Sequence, residues 1–148
     1  MDFGRDIGRL QRLMAASIAG INRRQAILET LSINSGNRII DVGCGAGQLL
    51  GHLAKAVGEH GEVIGLDPSA DQLAQAKSSC SDFSNITFLE VGADETGLPD
   101  GSCDAATSTQ ALEYIPDVDS APAEITRVLK PGGSLVNVSI LWDHFRFH

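Results

Sequence analysis

Long apolar runs are missing from this sequence. None approaches the roughly 20 residues that a helix needs to span a bilayer, so no membrane span is expected. The N-terminus, Met1-Asp2-Phe3-Gly4-Arg5-Asp6, lacks a basic region followed by a continuous apolar stretch and does not read as a signal peptide. Asp2 and Asp6 argue against a transit peptide, which would be poor in acids. Cysteine is sparse as well. Cys44, Cys80 and Cys103 are odd in number, widely spaced and without a CxxC pair. Neither a metal site nor a disulfide framework is indicated, and reduced thiols in a cytoplasmic protein are expected. Bases are scarce through the body of the chain: from Ile39 to Thr126, Lys55 and Lys77 alone stand against 15 acids. So acidic a body repels phosphate backbones, which argues against nucleic acid as a partner. Five of the 11 bases, Arg5, Arg9, Arg12, Arg23 and Arg24, crowd the first 24 positions. Such a charge run most often forms a solvated helix face.

What is present is the composition of one globular domain: 148 residues, 43% hydrophobic and 20% charged. Apolar residues at Ile7, Leu10, Leu13, Met14, Ile18 and Ile21 make one stripe of a helix. Asn22 with Gln25 three residues later has the form of a cap opening a second helix to about Leu31. These N-terminal helices occupy 1–34, and a core over 35–141 and a tail over 142–148 complete the domain. After the turn at Asn34-Ser35-Gly36-Asn37 the period changes. Arg38–Val42, Glu62–Leu66, Ile86–Val91, Cys103–Thr107 and Ser134–Leu141 read as short buried strands. Between them, helical spacing runs from Gln48 to Val57 with Gly58 as its stop, and from a Ser69 cap through Lys77. A further helix opens at Asp119 or Ser120, carries Pro122 in its first turn and halts at Lys130-Pro131-Gly132-Gly133. Strands alternating with helices imply an α/β fold, a doubly wound parallel sheet with helices on both faces.

The chemistry-bearing stretch is Asp41-Val42-Gly43-Cys44-Gly45-Ala46-Gly47, between a strand and a helix. There a doubly wound sheet binds nucleotide-type ligands, and a helix N-terminus offers free N–H groups to an anion. The dinucleotide pattern G-x-G-x-x-G fails in both phases, because its last glycine would fall on Gln48 or Leu50; nor is there a P-loop lysine. Asp67 ends the second strand, where a carboxylate can accept from both hydroxyls of a ribose. Asp94, just after the third strand, is placed to accept from an exocyclic amine, with Glu95 as its rival. Each acid has a plainer alternative: Asp41 as a turn acid, Asp67 as the start of an Asx turn before Pro68, Asp94 as a solvated loop acid. Cys44 reads as a small apolar filler inside the loop. His144 and His148 stand four apart but follow a strand, so no metal site is expected.

Five pieces, DVGCGAG (41–47), GLDPS (65–69), GAD (92–94), LPDGSCDAATSTQALEYIPD (98–117) and RVLKPGG (127–133), resemble in order and spacing the class I S-adenosylmethionine-dependent methyltransferases. The resemblance lies with the small-molecule branch that includes ubiquinone/menaquinone-type and arsenite-type enzymes, and it covers roughly Arg24 to Ile140. It implies a Rossmann-like sheet of order 3-2-1-4-5 and S-adenosyl-L-methionine as cofactor. It implies that Asp41 serves the methionine amino group, that Gly43, Cys44 and Gly45 form the close loop, and that Asp67, followed by Pro68, holds the ribose. Ala93 (by its backbone) and Asp94 would frame the adenine, and Gln110 would lie near the sulfonium end. By the same resemblance, Trp142-Asp143-His144 would line the pocket of a small-molecule acceptor. No catalytic base is assigned; His144 and Tyr114 are candidates by elimination only. The family's sheet continues with strands 7 and 6, which this chain lacks, so a truncated domain is expected. Its Ser134–Leu141 edge would invite self-association. A non-catalytic cofactor-binding module that needs a partner or second copy is the competing expectation.

Overall fold

The computed structural model describes residue 22, residues 25–109 and residues 120–138, with the backbone alone at 109, 137 and 138. Eight elements follow a helix over 25–31, here α1: β1 (Arg38–Val42), α2 (Leu50–Val57), β2 (Glu62–Leu66), α3 (Ala70–Ser79), β3 (Ile86–Leu89), β4 (Cys103–Thr109), α4 (Ser120–Val128) and β5 (Leu129–Val138). The strands form one parallel sheet of order β3-β2-β1-β4-β5, as expected of a Rossmann-like fold. Among the described residues, no helix is long and apolar enough to cross a membrane.

The central strands are apolar on both sides because both sides are covered. Ile39 and Val63 point to one layer, where they meet Ile27 and Leu31 of α1, Leu50, Leu53 and Val57 of α2, and Leu73 and Ala76 of α3. Ile40, Val42, Ile64 and Leu66 point to the other, against Ala121, Ile125 and Val128 of α4 and the buried Ala93. Period-two alternation thus divides one short strand between two cores. Neighbouring connections leave β1 and β4 on opposite sides of the sheet, so a crevice opens at their carboxyl ends.

Several boundaries differ from the sequence expectation. Asn22 is itself helical and does not stand before a helix as its cap. Helix α2 begins at Leu50, not Gln48, because Gly47 holds a left-handed φ of 88° and a turn is needed to leave it. Strand β3 stops at Leu89, two residues short, while β4 runs on to Thr109. Helix α4 ends at Val128, before the expected stop at Lys130–Gly133, and pairing resumes at once: Cys103 faces Leu129 and Ala105 faces Ser134, so Lys130–Gly133 bulge out within β5. Gly133 belongs there because a Cβ would lie 2.9 Å from Lys130 O and 3.0 Å from Asp104 O. Of the expected fifth strand, 139–141 lie outside the described residues, as do the first N-terminal helix and the tail.

One cap was not anticipated. The Asn85 side-chain amide donates to Ala54 O at 3.0 Å and Gly58 O at 2.9 Å. Each of these carbonyls also accepts a backbone N–H, Ala54 O from Gly58 N and Gly58 O from Gly61 N, so the amide takes up their second lone pairs and ties β3 to the end of α2. Replacing Asn85 by Ala should cost about 2 kcal/mol of unfolding free energy in urea titration, and an unchanged midpoint would show that water serves these carbonyls equally well.

Candidate active site at the carboxyl edge of the sheet

The glycine loop leaves β1 at Val42 and turns three times through left-handed backbone, at Gly43 (φ 68°), Gly45 (φ 57°) and Gly47 (φ 88°). L-residues with a Cβ avoid this region. Space is a second reason at Gly47: a Cβ there would sit 3.1 Å from Ala76 Cβ and 3.3 Å from Cys80 Sγ. At Gly45 the outer side is open, with only Gln72 Oε1 near, at 3.9 Å. The loop therefore packs tightly on α3 at Gly47 and leaves open space beside the backbone at Gly45, bordered by Gln72 of α3.

Two carboxylates flank this loop. Asp67 directly follows β2 and is half-buried; its Oδ2 accepts from Gly45 N at 3.0 Å and its Oδ1 from Ser69 N at 2.9 Å. The second bond is the Asx turn that the sequence allowed. The first ties the two βα turns together, and sequence alone did not show it. Asp41 is buried, at 2% exposure. It stands in register with Thr107 of β4, whose hydroxyl donates to Asp41 Oδ1 at 2.8 Å. Burial lifts the Asp41 carboxyl from the ordinary 3.8 to about 7; the Thr107 bond works against that rise and the Asp67 charge adds to it.

The remaining expected site residues divide. Cys44 is buried, its N–H donates to Leu66 O at 2.8 Å, and its thiol lies where Gly65 leaves room for it. Burial foremost, with the Asp41 and Asp67 charges behind it, pushes that thiol up to about 12, so it packs and does not react. Pro68 is exposed beside Asp67, Ala93 is buried in the second core and Asp94 is exposed. Gln110, Tyr114, His144 and His148 lie outside the described residues. The structure thus brings Asp41, Gly43, Cys44, Gly45 and Asp67 to one crevice. Thr107 joins them unanticipated. At the carboxyl end of β4, Ser108 Oγ is buried with no hydrogen-bond partner among the described residues, an orphan that a native interior rarely leaves. Among the described residues no cluster of three His, Cys, Asp or Glu could hold a metal ion.

A parallel sheet of this order with a glycine loop and an acid at the next strand tip defines a nucleoside-cofactor domain. Comparison narrows the class. Residues 40–137 match the family described as Methyltransferase domain. The demethylmenaquinone methyltransferase of Staphylococcus saprophyticus is 35% identical over 113 residues, 76% of this chain and 48% of that protein. Among solved structures, an arsenic(III) S-adenosylmethionine methyltransferase from Chlamydomonas reinhardtii is 34% identical with a TM-score of 0.64, over 68% of this chain and 38% of that one. A SAM-dependent methyltransferase from Aquifex aeolicus is 26% identical with a TM-score of 0.68, over 73% of this chain and 58% of that one. The chain spans about half the length of such curated relatives, or less, at 48% and 38% for two of them. It belongs to the methyltransferase-domain family, within the class I S-adenosylmethionine-dependent methyltransferases.

The raised Asp41 carboxyl fixes a pH dependence. Folded protein holds this proton up to about 7, whereas the unfolded chain releases it near 3.8. Folded protein binds the extra proton between those values, so stability falls as pH rises through that window and levels off above it. Asp41→Asn should flatten the slope and leave the variant about 2–4 kcal/mol more stable than the parent at pH 8, measured by denaturant midpoints at several pH values. Parallel profiles for the two proteins would contradict it.

Proposed function

We propose that the crevice binds S-adenosyl-L-methionine and that the chain transfers its methyl group to a small-molecule acceptor. The observation that carries the reading is Asp67. Each of its oxygens accepts one backbone N–H and keeps further acceptor capacity, so the carboxylate is fixed in place and still able to receive the two adjacent hydroxyls of a ribose. The loop supports it: open backbone at Gly45 admits a ligand without displacing a side chain. Asp41 supports it too. A buried acid that is expensive to ionise would be stabilised as its anion by the ammonium group of a ligand, with its proton released to water. The orphaned Ser108 hydroxyl at the same strand edge fits a polar ligand or its water.

In this reading Asp41 receives the amino group, Gly43 and Gly45 give close backbone, and Cys44 fills the space beneath them. Asp67, with Pro68 beside it, holds the sugar; Ala93 and Asp94 flank the base; Gln110 serves the sulfonium end. The cofactor, when bound, supplies an activated methyl group, so the protein's task is to orient and to exclude water. No residue is given the part of general base. The acidic body disfavours nucleic acid, and the named relatives act on demethylmenaquinone or arsenic(III), which supports a small acceptor here.

Calorimetric titration with S-adenosylhomocysteine tests this directly. The parent chain should bind it and ignore NAD, and Asp67→Ala should weaken binding by at least about tenfold, the loss of one charged hydrogen-bonding group. Unchanged affinity in that variant would remove the foundation of the assignment. Binding without turnover over a panel of acceptors would support a non-catalytic module instead.

A further inference from the structure

Residues 90–102, between β3 and β4, form no helix or strand, yet they carry Ala93 and Asp94. Apolar contact holds part of this segment: Ala93, Val91 and Leu98 pack on the cluster that contains Ile125 and Val128. Its polar anchor is one carboxylate. Glu124 Oε2, on α4, accepts from both the backbone N–H and the hydroxyl of Thr96, each at 2.8 Å. Thr96 is 2% exposed and the Glu124 side chain 13%, so water competes poorly for these bonds. The Thr96 hydroxyl in turn accepts from Leu98 N at 3.2 Å.

Arg127, one turn further along α4, sets the carboxylate. Its Nε donates to Glu124 Oε1 at 2.7 Å and its Nη2 to Oε2 at 2.9 Å, a two-pronged grip that fixes both groups. The same guanidinium also reaches Leu98 O at 2.7 Å and the Asp100 carboxylate, while Arg127 O accepts from Gly101 N at 2.9 Å. One helix thus holds 96–101 at both ends. Immediately before Thr96 lies a tight turn. Glu95 N donates to Gly92 O at 3.3 Å, and Asp94 Oδ1 folds back so closely that a Cβ on Gly92 would meet it at 2.7 Å. The Arg127 bond foremost holds the Glu124 carboxyl at about 2, so the anchor is charged at neutral and mildly acid pH.

We propose that Glu124, set by Arg127, is a positioning residue for the nucleoside end of the ligand: it holds the turn bearing Ala93 and Asp94 in its binding arrangement before the ligand arrives. The inference rests on the site reading above. It does not touch the methionine end, which the β1 loop and Asp41 hold separately. Freed of Glu124, the turn must be ordered at the moment of binding. If it then spends a tenth of its time in place, apparent affinity falls about tenfold.

The test measures S-adenosylhomocysteine by calorimetry and adenosine by competition, on the full chain and on Glu124→Ala, Glu124→Gln, Thr96→Val and Asp41→Asn. Glu124→Ala should weaken both ligands by about the same tenfold factor. Glu124→Gln, which keeps an acceptor for Thr96, should recover part of the loss. Thr96→Val, which keeps the shape and one of the two bonds, should lose less and serves if Glu124→Ala fails to fold. Asp41→Asn should weaken S-adenosylhomocysteine and spare adenosine. Parent-like binding of both ligands by Glu124→Ala and Thr96→Val would overturn the inference. So would a loss confined to S-adenosylhomocysteine, or a Gln variant no better than Ala. A parent chain that binds neither ligand would sink the site reading itself, which separates the two failures.

Discussion

The Asp67 carboxylate joins two turns that stand 22 residues apart in the chain, and the crevice takes its shape from that junction. Parallel strands with crossover helices bring β1 and β2 side by side, but pairing ends at Val42 and Leu66. Beyond those residues Cys44 N and Asp67 N still find backbone carbonyls, of Leu66 and Leu89, but Gly45 N and Ser69 N turn to a side chain. Asp67 fills the gap from one side chain, taking Gly45 N with one oxygen and Ser69 N with the other. A charged acceptor in a half-buried place is worth about 1.5–3 kcal/mol per bond, enough to choose one loop conformation among several. The left-handed glycines make that conformation accessible, and the carboxylate makes it the one populated.

The two apolar layers explain why the junction can be so lightly built. Strands buried on both faces cannot slide by one residue without moving an aliphatic set into the wrong core. Register is therefore set by Ile39 and Val63 on one side and by Ile40, Val42, Ile64 and Leu66 on the other. With the strand tips fixed, a few hydrogen bonds suffice to arrange the loops that leave them. Asp41 shows what this rigidity permits: an acid held inside the sheet by one threonine, in a place where its ionisation is costly.

Much of this was legible in the amino-acid order. Buried parallel strands are short, apolar and bounded by turn residues, so β1 and β2 could be placed to the residue. The glycine loop and Asp67 could be read because their chemistry is local: left-handed turns need glycine, and a strand tip needs an acceptor. What escaped was every partner chosen across the fold. Asp41 and Thr107 are separated by 66 residues, and Thr96 and Glu124 by 28. Nothing in local period or propensity ties such pairs. The Lys130–Gly133 bulge escaped for a related reason: the residues read as a stop, and only the Cys103–Leu129 pairing shows that the strand had begun. Asn85 carries no local signal of its role, and it caps a helix that ended 28 residues before it.

The mutual repulsion of Asp41 and Asp67 bears on the order of events in the proposed reaction. A sulfonium nucleoside enters with one more positive charge than the thioether that leaves. A buried Asp41 whose ionisation the Asp67 charge makes costlier, in a body with few bases nearby, would favour the more cationic form. Donation of the methyl group removes that charge, and part of the attraction goes with it. The spent ligand would keep the ammonium proposed to pair with Asp41 and lose only the sulfonium charge, so the electrostatics that favour capture would also favour release, and added salt would weaken this preference.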